Sequence, residues 1–168
     1  MTYFELFEIP VQLKVNTSVL AQQFFALSRK YHPDYFATED PAAQAEALEK
    51  SALLNKAWKT FQNPDETINY VLRLKGLLQE EEKYELPPGF LMEVLEINES
   101  LMDVDETTIP QLESRISELQ TEIYEPVKKY IEDYQDDRVT EKELLQVKEY
   151  YYKKKYLDRI RHQLAGMA

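Results

Sequence analysis

The chain has 168 residues, of which 43% are hydrophobic, enough to bury one ordinary core or two small ones. A formal charge of -11 repels nucleic-acid backbones and anionic membranes over roughly a Debye length, about 8 Å at physiological salt, so neither is expected as a partner. The absence of cysteine excludes disulfides, thiol nucleophiles and thiolate-held iron–sulfur clusters.

Only three glycines occur, while Leu, Glu, Lys, Gln and Ala abound, which predicts an all-α class. The start, Met1-Thr-Tyr-Phe-Glu-Leu-Phe, enters an amphipathic pattern without the features of a signal or transit peptide, and no apolar run reaches 18 residues. A cytoplasmic location is expected.

In chain order, residues 2-7 can form a short helix, and Pro10 forces an extended connection after it. Asn16, Thr17 and Ser18 offer caps for a helix whose apolar side carries Leu20, Phe24, Leu27 and Tyr31 and which must end at His32-Pro33. Residues 32-41 read as a loop. A second long helix starts near Pro41 and runs to about Phe61; its expected stripe is Leu48, Leu54, Trp58 and Phe61, with Ala45, Ala47, Ala52 and Ala57 allowing close antiparallel packing on the first. Asn63-Pro64 caps and opens a short helix ending at Gly76.

The acidic run Glu80-Glu81-Glu82 and the pair Pro87-Pro88 mark residues 77-88 as a linker between domains at 1-76 and 89-168. Beyond it lie three helical segments, about 89-103, 109-136 and 140-164, the second bent at Pro126.

The most specific local signal is His32-Pro33-Asp34, placed directly after one amphipathic helix and before another. Pro33 fixes its own φ and biases His32 away from helix, so an imidazole and a carboxylate are held at the tip of a hairpin. Asp34 can there offer a pair of acceptors to an arginine of another protein.

With Tyr3-Phe4-Glu-Leu-Phe7, Lys30-Tyr31-His32-Pro33-Asp34 and Asn55-Lys-Ala57-Trp58-Lys-Thr-Phe61-Gln-Asn63-Pro64, the N-terminal half resembles the J-domain family. That resemblance implies that His32, Pro33 and Asp34, with Arg29 and Lys30, dock on a heat-shock protein 70 type chaperone and stimulate its ATPase. Many J domains carry more basic residues along this helix. Here Ala21, Gln22, Phe24, Phe25 and Ala26 occupy it, which suggests a specialised chaperone.

Tyr70-Val-Leu-Arg-Leu-Lys-Gly76 and Phe90-Leu91-Met92-Glu93-Val-Leu95-Glu96 extend the likeness to the HscB branch, which adds a C-terminal three-helix bundle. The branch implies delivery of the iron–sulfur scaffold protein IscU to the chaperone HscA. Eukaryotic relatives often carry a cysteine-containing N-terminal extension, so a bacterial cytoplasmic form is expected.

The spacing of residues 90-102 bears on a client face. At 100° per residue, Phe90, Val94, Ile97 and Leu101 form one stripe, and Leu91, Leu95 and Met102 a second about 100° away, continued by Met92 and bordered by Glu96 and Glu99. A bundle helix needs one apolar stripe. The second is either an exposed client face or is buried against another neighbour. In the last helix, Tyr150, Leu157, Ile160 and Leu164 read as core, and Tyr156 matches by position an aromatic of the HscB client face, though half-buried packing also accounts for a tyrosine there. The run Tyr150-Tyr151-Tyr152 and Lys153-Lys154-Lys155 points around all sides of a helix and reads as solvated.

The expected client-binding residues are Leu91, Met92, Leu95, Glu96, Glu99 and Tyr156. No catalytic residue, metal site or cofactor is expected, since His32 and His162 are far apart and no GxGxxG, P-loop, HExxH or GxSxG pattern occurs. The rival readings are an enzyme, a J protein for another client, and a J-like adaptor without ATPase stimulation.

Overall fold

The computed structural model describes residues 1–167; among them the structure is helical without strands, in agreement with the expected all-α class. The chain forms two compact units, one made of Met1–Leu74 with Tyr134–Arg138, the other of Lys75–Asp133 with Val139–Ala168.

In the first unit, α1 (Tyr3–Leu6) is only one turn, yet Thr2 and Glu5 close a reciprocal capping box on it. Phe4 and Phe7 are buried, with ring centroids 5.2 and 5.4 Å from that of Phe61, while Tyr3 stacks on Tyr70 at 4.2 Å. A turn too short to be stable alone is thereby held by aromatic packing. Asn16 caps α2 (Thr17–Lys30), its side-chain oxygen accepting from the N–H groups of Ser18 and Val19.

Asp40 and Pro41 open α3 (Pro41–Phe61), which packs against α1, α2 and α4 (Pro64–Leu74). Phe24 stacks on Trp58 near one end and Lys50 lies over the Tyr31 ring nearer the other, so α2 and α3 run antiparallel. The buried stripe of α3 is Ala47, Leu54, Ala57 and Phe61, with Trp58 partly covered. Leu48, Ala45 and Ala52, expected in that contact, are exposed. The helical period explains this: Leu48 stands roughly 100° from Ala47 and 120° from Leu54, while Ala45 and Ala52 fall on the opposite side. Asn63 caps α4, and Gly76 at φ +70° follows its end.

The second unit is a bundle of α5 (Pro88–Ser100), α6 (Thr108–Tyr124) and α8 (Glu141–Ala165). Phe90, Val94 and Ile97 of α5, Ile116 and Leu119 of α6, and Leu157, Ile160 and Leu164 of α8 form its core. Burying each such side chain contributes about 1.5–3 kcal/mol before chain entropy is subtracted. Leu101 is half-buried against this core. Thr140 and Glu143 cap α8 reciprocally, as a 25-residue helix entered from a loop requires.

The long helix expected over 109-136 is divided. Pro126 lacks the N–H for an i−4 bond, so α6 passes into a 3-10 turn over Glu125–Val127, resumes as α7 (Lys128–Glu132), and ends before Asp133.

Candidate functional site

Tyr31 closes α2, and His32 adopts φ -63° and ψ 130°, the extended geometry that a following proline favours. Pro33 then begins a 3-10 turn reaching Phe36. The imidazole caps that turn: its Nδ1 accepts from the Asp34 backbone N–H at 3.2 Å and lies 3.6 Å from Asp34 Oδ2. In the neutral ring this pairing leaves the proton on Nε2.

The His32 side chain is 51% exposed and that of Asp34 90%. A carboxylate this open can accept both arms of a guanidinium, while the imidazole beside it offers one donor. Arg29 and Lys30, in the last turn of α2, are exposed on the approach to the loop, so the structure brings all five sequence-derived residues to one end of the α2–α3 hairpin.

Below the motif the loop is tied down. Gln44 Nε2 donates to the carbonyls of Ala37 and Glu39 at 3.2 and 2.9 Å, and Asp40 accepts from Ala43 N–H at 2.7 Å. Sequence reasoning missed Tyr35, which is 68% exposed with its ring edge-on to His32 at 6.4 Å. An aromatic in a polar loop, directly after the motif, was the available signal.

The second candidate surface lies on the bundle. Of the two stripes over residues 90-102, Phe90, Val94 and Ile97 are buried, whereas Leu91, Met92 and Leu95 of α5 and Met102 just beyond it are exposed, Met92 by 66% and Leu95 by 54%. The alternative of two buried stripes is excluded. Leu91 and Tyr156 line one groove of about 660 Å³ together with Tyr84, Tyr152, Lys155 and Arg159.

Met92 and Leu95 lie on the same exposed flank of α5 outside that groove, and Glu96 and Glu99 line a separate hollow with Asp103 and Gln111. Tyr156 is half-buried against the core while also lining the groove. Tyr150 and Tyr151 are buried and Tyr152 stacks on Tyr84 at 4.6 Å, so the tyrosine run serves mainly in packing.

Among the described residues no group of three or more His, Asp or Glu side chains is placed to hold a metal ion, and no helix is long and apolar enough to cross a membrane.

Residues 86–165 match the family model of the HSCB C-terminal oligomerisation domain. Co-chaperone protein HscB homologs from two strains of Vibrio cholerae are each 38% identical to the chain over 112 residues, a stretch spanning 66% of this chain and 66% of theirs, just under two thirds of those relatives. Among solved structures, the chaperone HscB from Vibrio cholerae superposes with a TM-score of 0.71 at 26% identity, covering 99% of this chain and 97% of that one. The human co-chaperone HscB superposes with a TM-score of 0.77 at 28% identity, covering 98% and 81%. With its helical hairpin bearing His-Pro-Asp and its C-terminal bundle, the chain belongs to the HscB family of co-chaperones.

Proposed function

We propose that this protein is a non-enzymatic cytoplasmic co-chaperone of iron–sulfur protein maturation. Its J domain, residues 1-76, stimulates the ATPase of an HscA-like chaperone, and residues 89-168, with the segment 77-88 packed on them, deliver an IscU-like scaffold protein to it. The observation that carries this reading is the exposed His32-Pro33-Asp34 turn, built at the end of a helical hairpin in a chain of HscB descent. His32, Pro33 and Asp34 are the chaperone contact, with Arg29 and Lys30 supplying positive charge toward an acidic surface.

Leu91, Met92, Leu95 and Tyr156 are the apolar client contact, with Glu96 and Glu99 as an acidic border. An apolar centre with a polar rim is how protein interfaces are generally arranged. The test is steady-state ATP hydrolysis by the HscA-type chaperone with and without the scaffold and this protein. Stimulation by this protein, increased further by the scaffold, is the expected result. An unchanged rate in both additions overturns the proposal.

A further inference from the structure

We infer that the client face is electrically polarised along α5, and that the groove beside Leu91 and Tyr156 takes a carboxylate of the client next to an apolar residue, with Lys155 and Arg159 as its cationic partners. This rests on the client reading above and specifies the chemistry of that site.

Most neighbouring cations of the bundle are already committed. Lys148 pairs with Glu82 at 2.8 Å, Lys154 with Asp158 at 2.8 Å, Lys153 with Glu149 at 3.6 Å, and Arg115 with Glu118 at 3.3 Å. Lys155 and Arg159 have no such partner among the described residues. Instead Lys155 Nζ lies 5.9 Å from the Tyr151 ring centroid, and the Arg159 guanidinium carbon 5.9 Å from that of Tyr156.

A ring face holds a cation in place without neutralising it. Glu82, which lines the same groove, is occupied by Lys148 and by the Tyr152 hydroxyl, and Glu85 on its rim pairs with neither cation. With Glu82 neutralised by Lys148, Lys155 and Arg159 outweigh Glu85 on the groove lining, which makes it a locally positive site for an anion in a chain of net charge -11.

The other end of the face has the opposite sign. Glu96, Glu99 and Asp103 line a hollow that contains no cation. Glu99 follows Leu91 by eight residues, about 12 Å along the helix axis. Apolar Leu91, Met92 and Leu95 thus lie between a positive and a negative end. A client docking in reverse would set like charges against each other, so the charge pattern fixes its orientation as well as its encounter rate.

The experiment is calorimetric titration of the full chain with the iron–sulfur scaffold protein. Lys155→Glu with Arg159→Glu is expected to weaken binding about tenfold, and the neutralising pair Lys155→Gln with Arg159→Gln about threefold, at an unchanged melting temperature because both side chains are exposed. Lys142→Glu, exposed in the first turn of α8, lowers the net charge by two as the neutralising pair does and should leave affinity within about twofold. Unchanged affinity in both pairs while Leu95→Ala weakens binding overturns the polarised face and leaves the client reading intact. An equal loss in Lys142→Glu reduces the effect to net charge and also overturns it. If neither the charge pairs nor Leu95→Ala alters binding, both readings fall.

Discussion

The Lys148 ammonium lies 2.8 Å from Glu82 Oε1 and 5.6 Å from the centre of the Tyr84 ring, although the two charged residues are 66 positions apart. Lys148 is 9% exposed, and Glu82, which also lines the groove beside Leu91, is its counter-charge. Tyr84 in turn stacks on Tyr152, whose hydroxyl donates to the other oxygen of Glu82. The acidic stretch after α4 is thereby fastened to α8.

Glu82→Ala leaves a nearly buried ammonium without a partner and should destabilise the second unit by about 1–2 kcal/mol, whereas Lys148→Met replaces the charge with apolar volume and should cost less. The hydrogen bond from Lys148 holds the Glu82 carboxyl below its ordinary value of 4.5. A depressed carboxylate stabilises the fold above its unfolded pKa, and that contribution is lost as pH falls below 4.5 through the lower folded value. Thermal unfolding at neutral pH and in acid should show the difference between wild type and Glu82→Gln shrinking in acid.

His32→Gln and Asp34→Asn should each abolish ATPase stimulation while changing stability by no more than about 0.5 kcal/mol. Both side chains are exposed, and the bond that Nδ1 accepts from the Asp34 N–H closes only a surface turn. Chaperone ATPase assays beside denaturant unfolding check both halves. Client binding should survive.

Alanine at Leu91, Met92 or Leu95 should weaken scaffold binding by about 1–2 kcal/mol each with little loss of stability, because these side chains are exposed. Alanine at Phe90, Val94 or Ile97 should instead cost about 2–5 kcal/mol of folding free energy. Leu101, only half-buried, should fall below that range. Tyr156→Ala should register in both measurements. Calorimetric binding and thermal unfolding on the same variants separate the two sets.

Gly76 and Gly89 should respond oppositely to alanine. Neither added methyl meets a neighbour within 4 Å, so backbone conformation decides. Gly76 at φ +70° would force a left-handed alanine, costing about 1 kcal/mol, while Gly89 lies within α5, where alanine should gain up to about 1 kcal/mol. Melting curves of the two single variants give the signs directly.

How far the sequence reveals this structure depends on whether the determinant is local. Asn16, Asn63 and Pro41 mark helix starts through interactions within three residues, and the structure places those helices accordingly. The exposed turn at His32 follows from Pro33 in the same way. Composition draws Leu48 into the α3 stripe, although the period of 3.6 puts it outside, where the structure has it exposed. Pro126 signals a disturbance, but whether the helix bends or breaks depends on its surroundings. Tyr84, Lys155 and Arg159 could not be joined to Leu91 by any spacing rule. Their common groove exists only once the segment before α5 packs on α8.

The two bonds from Gln44 to the carbonyls of Ala37 and Glu39 have a thermodynamic consequence for recognition. Backbone that is free before binding must be ordered on contact, at about 1–2 kcal/mol for each residue immobilised. Here the segment following Asp34 is already folded onto α3, so that ordering cost is largely met during folding. A partner that grips the turn therefore meets a preformed surface and forfeits less of its contact energy to ordering the loop.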